Sequence, residues 1–362
     1  MPVSQSGPGP VARPTFAVIP GAQVNGVLRG REKQVIDLVE AAYRLHGAGG
    51  TVNPDSYFLR FPDRPDARII ALPASLGGDA DGRGAVDGIK WISSFPGNVA
   101  SGLPRASAVL ILNDPATGYP YACLESSVIS AARTAASAAL AAGALSRARG
   151  DASRPRRVGF IGAGLIGRFI HTYLDAAGWE FDEIGVHDLK AEHAQQFQGY
   201  LERGRGGGVG RVVVHDTAEG LIRSSDLVVL ATVAGSPYLH DPSWFSHAPL
   251  VLNVSLRDLA PEVVLSAVNV VDDVDHCLKA DTSVHLAEQL TGNRDFLSGT
   301  LCDVLTGAVR PEAGRRPLVF SPFGLGVLDL AVGRFVYDAI ARSGELAVTD
   351  GFFDELDRYG KS

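Results

Sequence analysis

The spacing of apolar positions changes character along the chain. Up to about residue 124 the apolar runs are short and extended: 16–19, 57–61, 68–72, 86–93, 106–113 and 122–124, parted by clusters of Pro and Gly. Runs of that length between turn residues predict strands. Residues 31–46 differ. Val35, Ile36, Leu38, Val39, Ala42 and Tyr43 recur at helical spacing and predict an amphipathic helix. Residues 126–147, SSVISAARTAASAALAAGALSR, read as a helix of small side chains able to pack close to its neighbours. From Val158 onward, apolar runs at 158–161, 183–186, 212–215, 227–231, 250–254 and 268–271 alternate with helical stretches. A late strand at 318–320 is followed by SPFGLG and a helix over 328–343. The alternation predicts an α/β fold with a doubly wound parallel sheet of Rossmann type. That unit occupies 134–325. It is inserted into a discontinuous β-rich unit, 16–133 plus 326–362, and residues 1–15 are expected to be a disordered tail.

The stretch RVGFIGAGLIG, residues 157–167, organises the second unit. A buried strand runs into Gly162, Gly164 and Gly167, and helical periodicity follows up to Gly178. Strand, G-x-G-x-x-G and helix in that order form the dinucleotide fingerprint. Gly162 permits the tight turn, Gly164 lets a pyrophosphate approach the backbone, and Gly167 lets the helix pack on the strand. The helix N-terminus offers free N–H groups to phosphates. Asp188 ends the next strand, 21 residues past Gly167. This is the spacing of the acid that bonds a ribose 2′-hydroxyl, and it favours NAD over NADP. The strand ending at Thr232 reaches the carboxyl edge, where cofactors lie. The glycine-rich segment 203–211 has no helix directly after it and reads as a surface connection.

Composition narrows the class. The chain has 362 residues, 46% apolar and 20% charged, with a net charge of −7. No long basic run occurs, so no nucleic-acid partner is expected. No uninterrupted apolar segment reaches membrane-spanning length, and residues 1–14 lack the basic and apolar regions of a signal peptide. Cys123, Cys277 and Cys302 are widely separated, which fits a reducing cytoplasm. The histidines show no pair at ligand spacing, and no metal is expected.

Three cations and one acid stand in unexpected places. Lys90, one of five lysines against 28 arginines, lies between Ile89 and Trp91. Two readings stay open: a side chain snorkelling from an edge strand, or a desolvated amine whose pKa falls toward neutrality. Arg60, in SYFLRFP, either stacks on Tyr57 or Phe61 or clamps a carboxylate. Arg133 sits among small helix residues and needs a partner: Glu125, Asp114 or a substrate carboxylate. Asp258, on the loop after the strand ending at Val254, either faces the cofactor or caps the helix near Pro261.

Taken together, these segments resemble the ornithine cyclodeaminase/μ-crystallin family. The resemblance rests on GIKWISSFPGN (88–98), GLPRASAVLILND (102–114), TGYP (117–120), ARTAA (132–136), GFIGAGLIG (159–167) and VFSPFGLGVLDLA (319–331). It covers the chain from about Phe16. The segment 90–114 looks most like the branch that oxidises N-(2-amino-2-carboxyethyl)-L-glutamate in 2,3-diaminopropionate synthesis for siderophores and peptide antibiotics. The resemblance implies a homodimer with NAD as cofactor and a small amino-acid adduct as substrate. It implies Lys90 and Asp258 as catalytic groups and Arg60 and Arg133 as carboxylate ligands. Gly162, Gly164, Leu165, Ile166, Gly167, Asp188, Thr134, Thr232 and Ser321 are the expected cofactor contacts. This chain lacks the proline that commonly precedes the family's aspartate at 258. The same family also holds cyclodeaminases, other amino- and imino-acid dehydrogenases, and binding proteins without turnover.

Overall fold

The computed structural model describes residues 14–78, 84–150, 154–203, 210–312 and 314–353. The tail expected over 1–15 lies outside them except for Pro14 and Thr15, as do residues 204–209 of the glycine-rich connection. Two sheets of eight strands form the framework.

The first sheet is mixed. Its order is Val348–Thr349, Phe16–Ile19, Pro120–Glu125, Ala106–Asn113, Val86–Ser94, Arg64–Leu76 and Thr51–Val52, and Tyr57–Phe61 also pairs with Arg64–Leu76. Phe16–Ile19 runs parallel to Pro120–Glu125, whereas the other pairings are antiparallel. Strand Val86–Ser94 is therefore interior, with ladders on both sides. The second sheet is parallel throughout, in the order Arg211–Val214, Glu183–His187, Arg157–Ile161, Leu227–Leu230, Leu250–Asn253, Leu318–Ser321, Val268–Val271 and Leu297–Thr300. The chain reverses its direction of winding between Arg157–Ile161 and Leu227–Leu230. That is the switch point where such sheets bind ligands. The edge strand Leu297–Thr300, LSGT, escapes sequence reading because it is short and has a Gly and two hydroxyls in four residues.

Helix Ser127–Arg149 joins the two units. It packs on helices Glu32–Gly47 and Leu165–Ala176 and on strand Leu250–Asn253. Buried alanines such as Ala132, Ala135, Ala138 and Ala142 allow these close approaches. Despite Arg133 the helix is long and apolar enough to cross a membrane, but 72% of its most apolar window is buried inside the protein. It is a core helix. Helix Gly326–Ser343 lies across strands Arg64–Leu76, Val86–Ser94 and Ala106–Asn113 of the first sheet. It approaches so closely that a Cβ on Gly88 would stand 2.8 Å from Leu330 Cδ2 and 2.2 Å from the carbonyl oxygen of Ile111.

Neither the sheet backbone nor a core leucine can yield cheaply there. Gly88→Ala is expected to lower stability by about 1–3 kcal/mol, the cost of overpacking. A urea melt checks this, and an unchanged midpoint would show that sheet and helix are less tightly apposed.

Candidate active site

Lys90 lies in the middle of strand Val86–Ser94, opposite Leu72 on one side and Leu110 on the other. Strand alternation turns it away from Ile89 and Trp91, toward helix Gly326–Ser343. Only 2% of Lys90 is exposed. A snorkelling lysine is thereby excluded. Its Nζ donates to Oδ2 of Asp329 at 2.6 Å, and Asp329 is wholly buried. Burial pushes the Lys90 pKa down and the nearby Arg133 charge pushes it the same way. Asp329 opposes both, and the net effect lowers the amine to about 8. Asp329 goes unmarked in the sequence, although an acid inside the apolar helix segment VLDLAV is the same kind of signal as Lys90 between Ile89 and Trp91.

Arg133 meets the other oxygen of that carboxylate. Its Nε donates to Asp329 Oδ1 at 3.2 Å. The expected partners are engaged elsewhere. Glu125 accepts from the backbone N–H groups of Ser127 and Val128 at the helix start. Asp114 accepts from Ala116 and Thr117 in the adjoining turn. Arg133 also touches the late loop SPFG. Gly324 has φ +92°, and a Cβ there would fall 2.4 Å from Arg133 Nη1. The loop is held by Asp272, whose two oxygens accept from the N–H groups of Phe323 (2.9 Å) and Gly324 (2.7 Å). Asp272 follows strand Val268–Val271 and the loop follows Leu318–Ser321. The carboxyl edge of the parallel sheet is thus drawn against the Lys90–Asp329–Arg133 cluster.

At the switch point the glycine turn has the shape a dinucleotide needs. Gly162 has φ +94°, and a Cβ on it would lie 2.6 Å from the Ala231 carbonyl oxygen. A Cβ on Gly164 would meet nothing within 4 Å, leaving the space over the helix start open. Gly167 packs under the turn, its would-be Cβ 3.0 Å from the Gly162 carbonyl oxygen. Helix Leu165–Ala176 has no side-chain cap, so its first N–H groups stay available, with Leu165 exposed and Ile166 half-buried beside them. Asp188 sits under the turn and accepts from the N–H groups of Ala163 and Lys190, each at 2.9 Å. These residues fit NAD.

Asp258 does not cap the following helix. That helix, Pro261–Ser266, starts from Ala260 and has no side-chain cap. Asp258 is instead wholly buried. It accepts from Thr232 Oγ1 at 2.6 Å and Tyr238 Oη at 3.2 Å, and burial raises its pKa. Thr232 is therefore bound to Asp258 rather than free. Ser321 accepts from Asn253 Nδ2 at 3.1 Å, and the buried Asn253 Oδ1 has no hydrogen-bond partner among the described residues. Thr134 is half-buried, next to Arg133 on the same helix. Arg60 is exposed, and its guanidinium lies 5.0 Å over the ring of Phe58, not over Tyr57 or Phe61. It stands apart from Lys90, opposite Arg68 on the neighbouring strand.

The profile of the ornithine cyclodeaminase/mu-crystallin family matches residues 22–344. The chain belongs to that family. It is 30% identical over 320 residues to N-((2S)-2-amino-2-carboxyethyl)-L-glutamate dehydrogenase of Staphylococcus aureus, spanning 85% of this chain and 90% of that protein. It is likewise 30% identical to the nodulation efficiency protein NfeD of Rhizobium meliloti, spanning 85% and 91%. The crystal structure of CmnK superposes with a TM-score of 0.82 at 29% identity, covering 94% of this chain and 99% of CmnK. As a member of the ornithine cyclodeaminase/mu-crystallin family, the chain carries the doubly wound NAD-binding sheet anticipated from its glycine turn.

The Lys90 pKa gives a stability prediction with a definite sign. The folded value of about 8 lies below the ordinary 10.5. Between those pH values the unfolded chain holds the proton and the folded chain does not, so this group adds stability as pH rises. Stability is therefore expected to gain between pH 8 and 10 in the wild type relative to Lys90→Met. Denaturant melts at both pH values test this, and parallel curves would mean that the amine is not depressed. Asp329→Asn leaves two buried cations without their shared anion and is expected to cost about 3–5 kcal/mol.

Proposed function

We propose that this protein oxidises N-(2-amino-2-carboxyethyl)-L-glutamate with NAD⁺ and water, releasing 2-oxoglutarate and L-2,3-diaminopropionate. The broader class is firm: the chain is an NAD-dependent oxidoreductase acting on a CH–NH bond. The observation that carries the finer reading is a buried amine lowered to about pH 8, beside an arginine, at the carboxyl edge of a dinucleotide-binding sheet.

Gly162, Gly164, Gly167 and Asp188 hold the cofactor, with Leu165, Ile166, Thr134, Thr232 and Ser321 around it. Bound NAD⁺ supplies the acceptor for the hydride that leaves the glutamate Cα. Arg133 and Arg60 hold substrate carboxylates and orient that carbon, a contribution of position. Lys90, partly neutral near pH 8, takes the proton from the substrate nitrogen as the C=N bond forms. It returns that proton to the imine nitrogen, which activates the carbon, and then takes a proton from the water that attacks it. Asp258, whose burial favours the protonated carboxyl, is a second group able to hold a proton. Collapse of the carbinolamine breaks the C–N bond. One water and one NAD⁺ are consumed, and one NADH and one proton are released. The diamine product suits assembly of a siderophore or peptide antibiotic.

The pure protein with this substrate and NAD⁺ is expected to form NADH and 2-oxoglutarate in equal amounts. A folded protein that forms no NADH sinks the assignment, and ornithine yielding proline and ammonia without net NADH would make it a cyclodeaminase. In the oxidative direction kcat/KM is expected to rise with pH through about 8, because the neutral amine is the acceptor. Lys90→Ala is expected to abolish turnover while NADH still binds, as read by NADH fluorescence.

A homodimer fits the outward face of the first sheet, where Tyr57, Trp91 and Val109 are exposed along one cross-strand row through Ala71. Light scattering is expected to give twice the chain mass, and Trp91→Glu to reduce it. The three free cysteines suit a reducing cytoplasm.

A further inference from the structure

Three arginines that the reaction scheme leaves unexplained, Arg68, Arg105 and Arg257, lie together with Arg60. Arg60 stands directly opposite Arg68, and Arg68 directly opposite Ser94. Arg105, just before strand Ala106–Asn113, donates from Nη1 to Ser94 Oγ at 2.8 Å. Ser94 is only 6% exposed. By the two-residue alternation of a strand, Ser94 shares a face with Lys90, and so does Arg68 with Leu72, the residue opposite Lys90. The arginine row thus lies on the Lys90 face, four residues along the strand, or about 13 Å away.

The fourth arginine comes from the other unit. Arg257 precedes Asp258 on the loop beyond strand Leu250–Asn253, and its guanidinium donates to the carbonyl of Ala280. Arg257 is half-buried, and the charges of Arg68 and Arg60 act on it. Arg257 is therefore within electrostatic reach of the row. Arg68 in turn acts on Arg105.

Such an arrangement costs stability. Like charges directly opposite in a sheet repel, and half-buried cations require counter-charge. Yet among the described residues no carboxylate lies within 4.0 Å of any of the four. At Arg257 the charge of Asp281 offsets part of this repulsion. By contrast Arg133, Arg156, Arg157 and Arg294 all have carboxylate partners. Among the described residues nothing supplies that anion, and a bound anionic ligand would.

We propose that Arg68, Arg105 and Arg257, with Arg60 at the rim, form a second carboxylate-binding subsite that takes the carboxylates remote from the reacting carbon and selects for polycarboxylate substrates. This rests on the function proposed above and adds the residues that set its specificity. Lys90 and Arg133 serve the reacting end. The arginine row serves the far end, and Arg257 closes on it from the cofactor side. A substrate with one carboxylate would leave this far subsite unfilled.

Two ligands test the subsite on the full-length protein loaded with NADH or NAD⁺. One is the proposed substrate, followed by turnover. The other is tricarballylate, an unreactive tricarboxylate, followed by calorimetry. Arg68→Gln and Arg257→Gln are expected to raise KM for the substrate by about tenfold to a hundredfold, the value of a charge-assisted contact, and far more than they lower kcat. Both are expected to weaken tricarballylate by a similar factor, with acetate too weak to register in either wild type or variant. Arg68→Lys, which keeps the charge but loses the fork, is expected to fall between. NADH binding checks that each variant is folded. Should Arg68→Gln not fold, Arg257→Gln decides alone, because it lies on a loop. Tricarballylate binding that depends on these arginines upholds the subsite even if the substrate is never oxidised, and then only the proposed reaction fails. Turnover with unchanged KM in folded variants overturns the subsite. Dissociation of an oligomer with unchanged KM also overturns it, and assigns the arginines to a carboxylate of a second copy.

Discussion

A single buried carboxylate shared by two cations is the constraint on which the site depends. Asp329 receives Lys90 on one oxygen and Arg133 on the other. One negative charge cannot neutralise two positive ones, so the cluster keeps a net positive charge in a place of low dielectric. Desolvation and Arg133 lower the Lys90 amine to about 8, while Asp329 keeps it from falling further. A more completely paired lysine would stay protonated and could not accept a proton near neutrality. An unpaired one would cost more stability than a strand centre can bear. The helix that carries Asp329, the packing at Gly88 and the left-handed conformation of Gly324 all serve to place that carboxylate and its arginine.

The same cluster connects the two sheets. Arg133 lies on a helix that packs against both units, and it abuts a loop at the carboxyl edge of the parallel sheet. Asp272 holds that loop by two backbone N–H groups. Lys90, Arg133 and the dinucleotide turn are therefore fixed to one frame. A common frame of this kind supplies the alignment that hydride transfer requires. Asp258 is tied to Thr232, two residues past strand Leu227–Leu230 at the switch point.

Much of this was legible in the residues. Periodicity alone separates the strand-rich first part from the alternating second part. The glycine turn and Asp188 have local rules, and the structure brings Asp188 under the turn, where it accepts from the Ala163 N–H. Lys90 and Arg133 stand out because a charge amid apolar neighbours must be explained. What could not be read is pairing. Asp329 is 196 residues from Arg133 and 239 from Lys90, and no local rule links them, so nearer acids were favoured as partners. Asp258 resembles a helix cap in sequence, but Leu259 pairs with Leu239 before the helix begins and Ala260 takes that position. The aromatics flanking Arg60 in sequence suggest Tyr57 or Phe61 as its partner, whereas strand alternation places Phe58, two residues away, beneath it. The grouping of Arg60 with Arg68, Arg105 and Arg257 depends on register and on the approach of the second sheet. Neither is encoded by spacing along the chain.

The placement of Asp329 near the end of the chain also bears on biosynthesis. During synthesis from the N-terminus, the first sheet emerges with Lys90 on its inner face and nothing to cover it. The parallel sheet can form next as a nearly continuous segment, since all its strands lie between Arg157 and Ser321. Only when helix Gly326–Ser343 leaves the ribosome can the first core close and the two cations receive their anion. The site therefore acquires its native environment only after the parallel sheet has emerged. Until then the amine remains hydrated, and the nascent protein has a cofactor fold without a reaction centre.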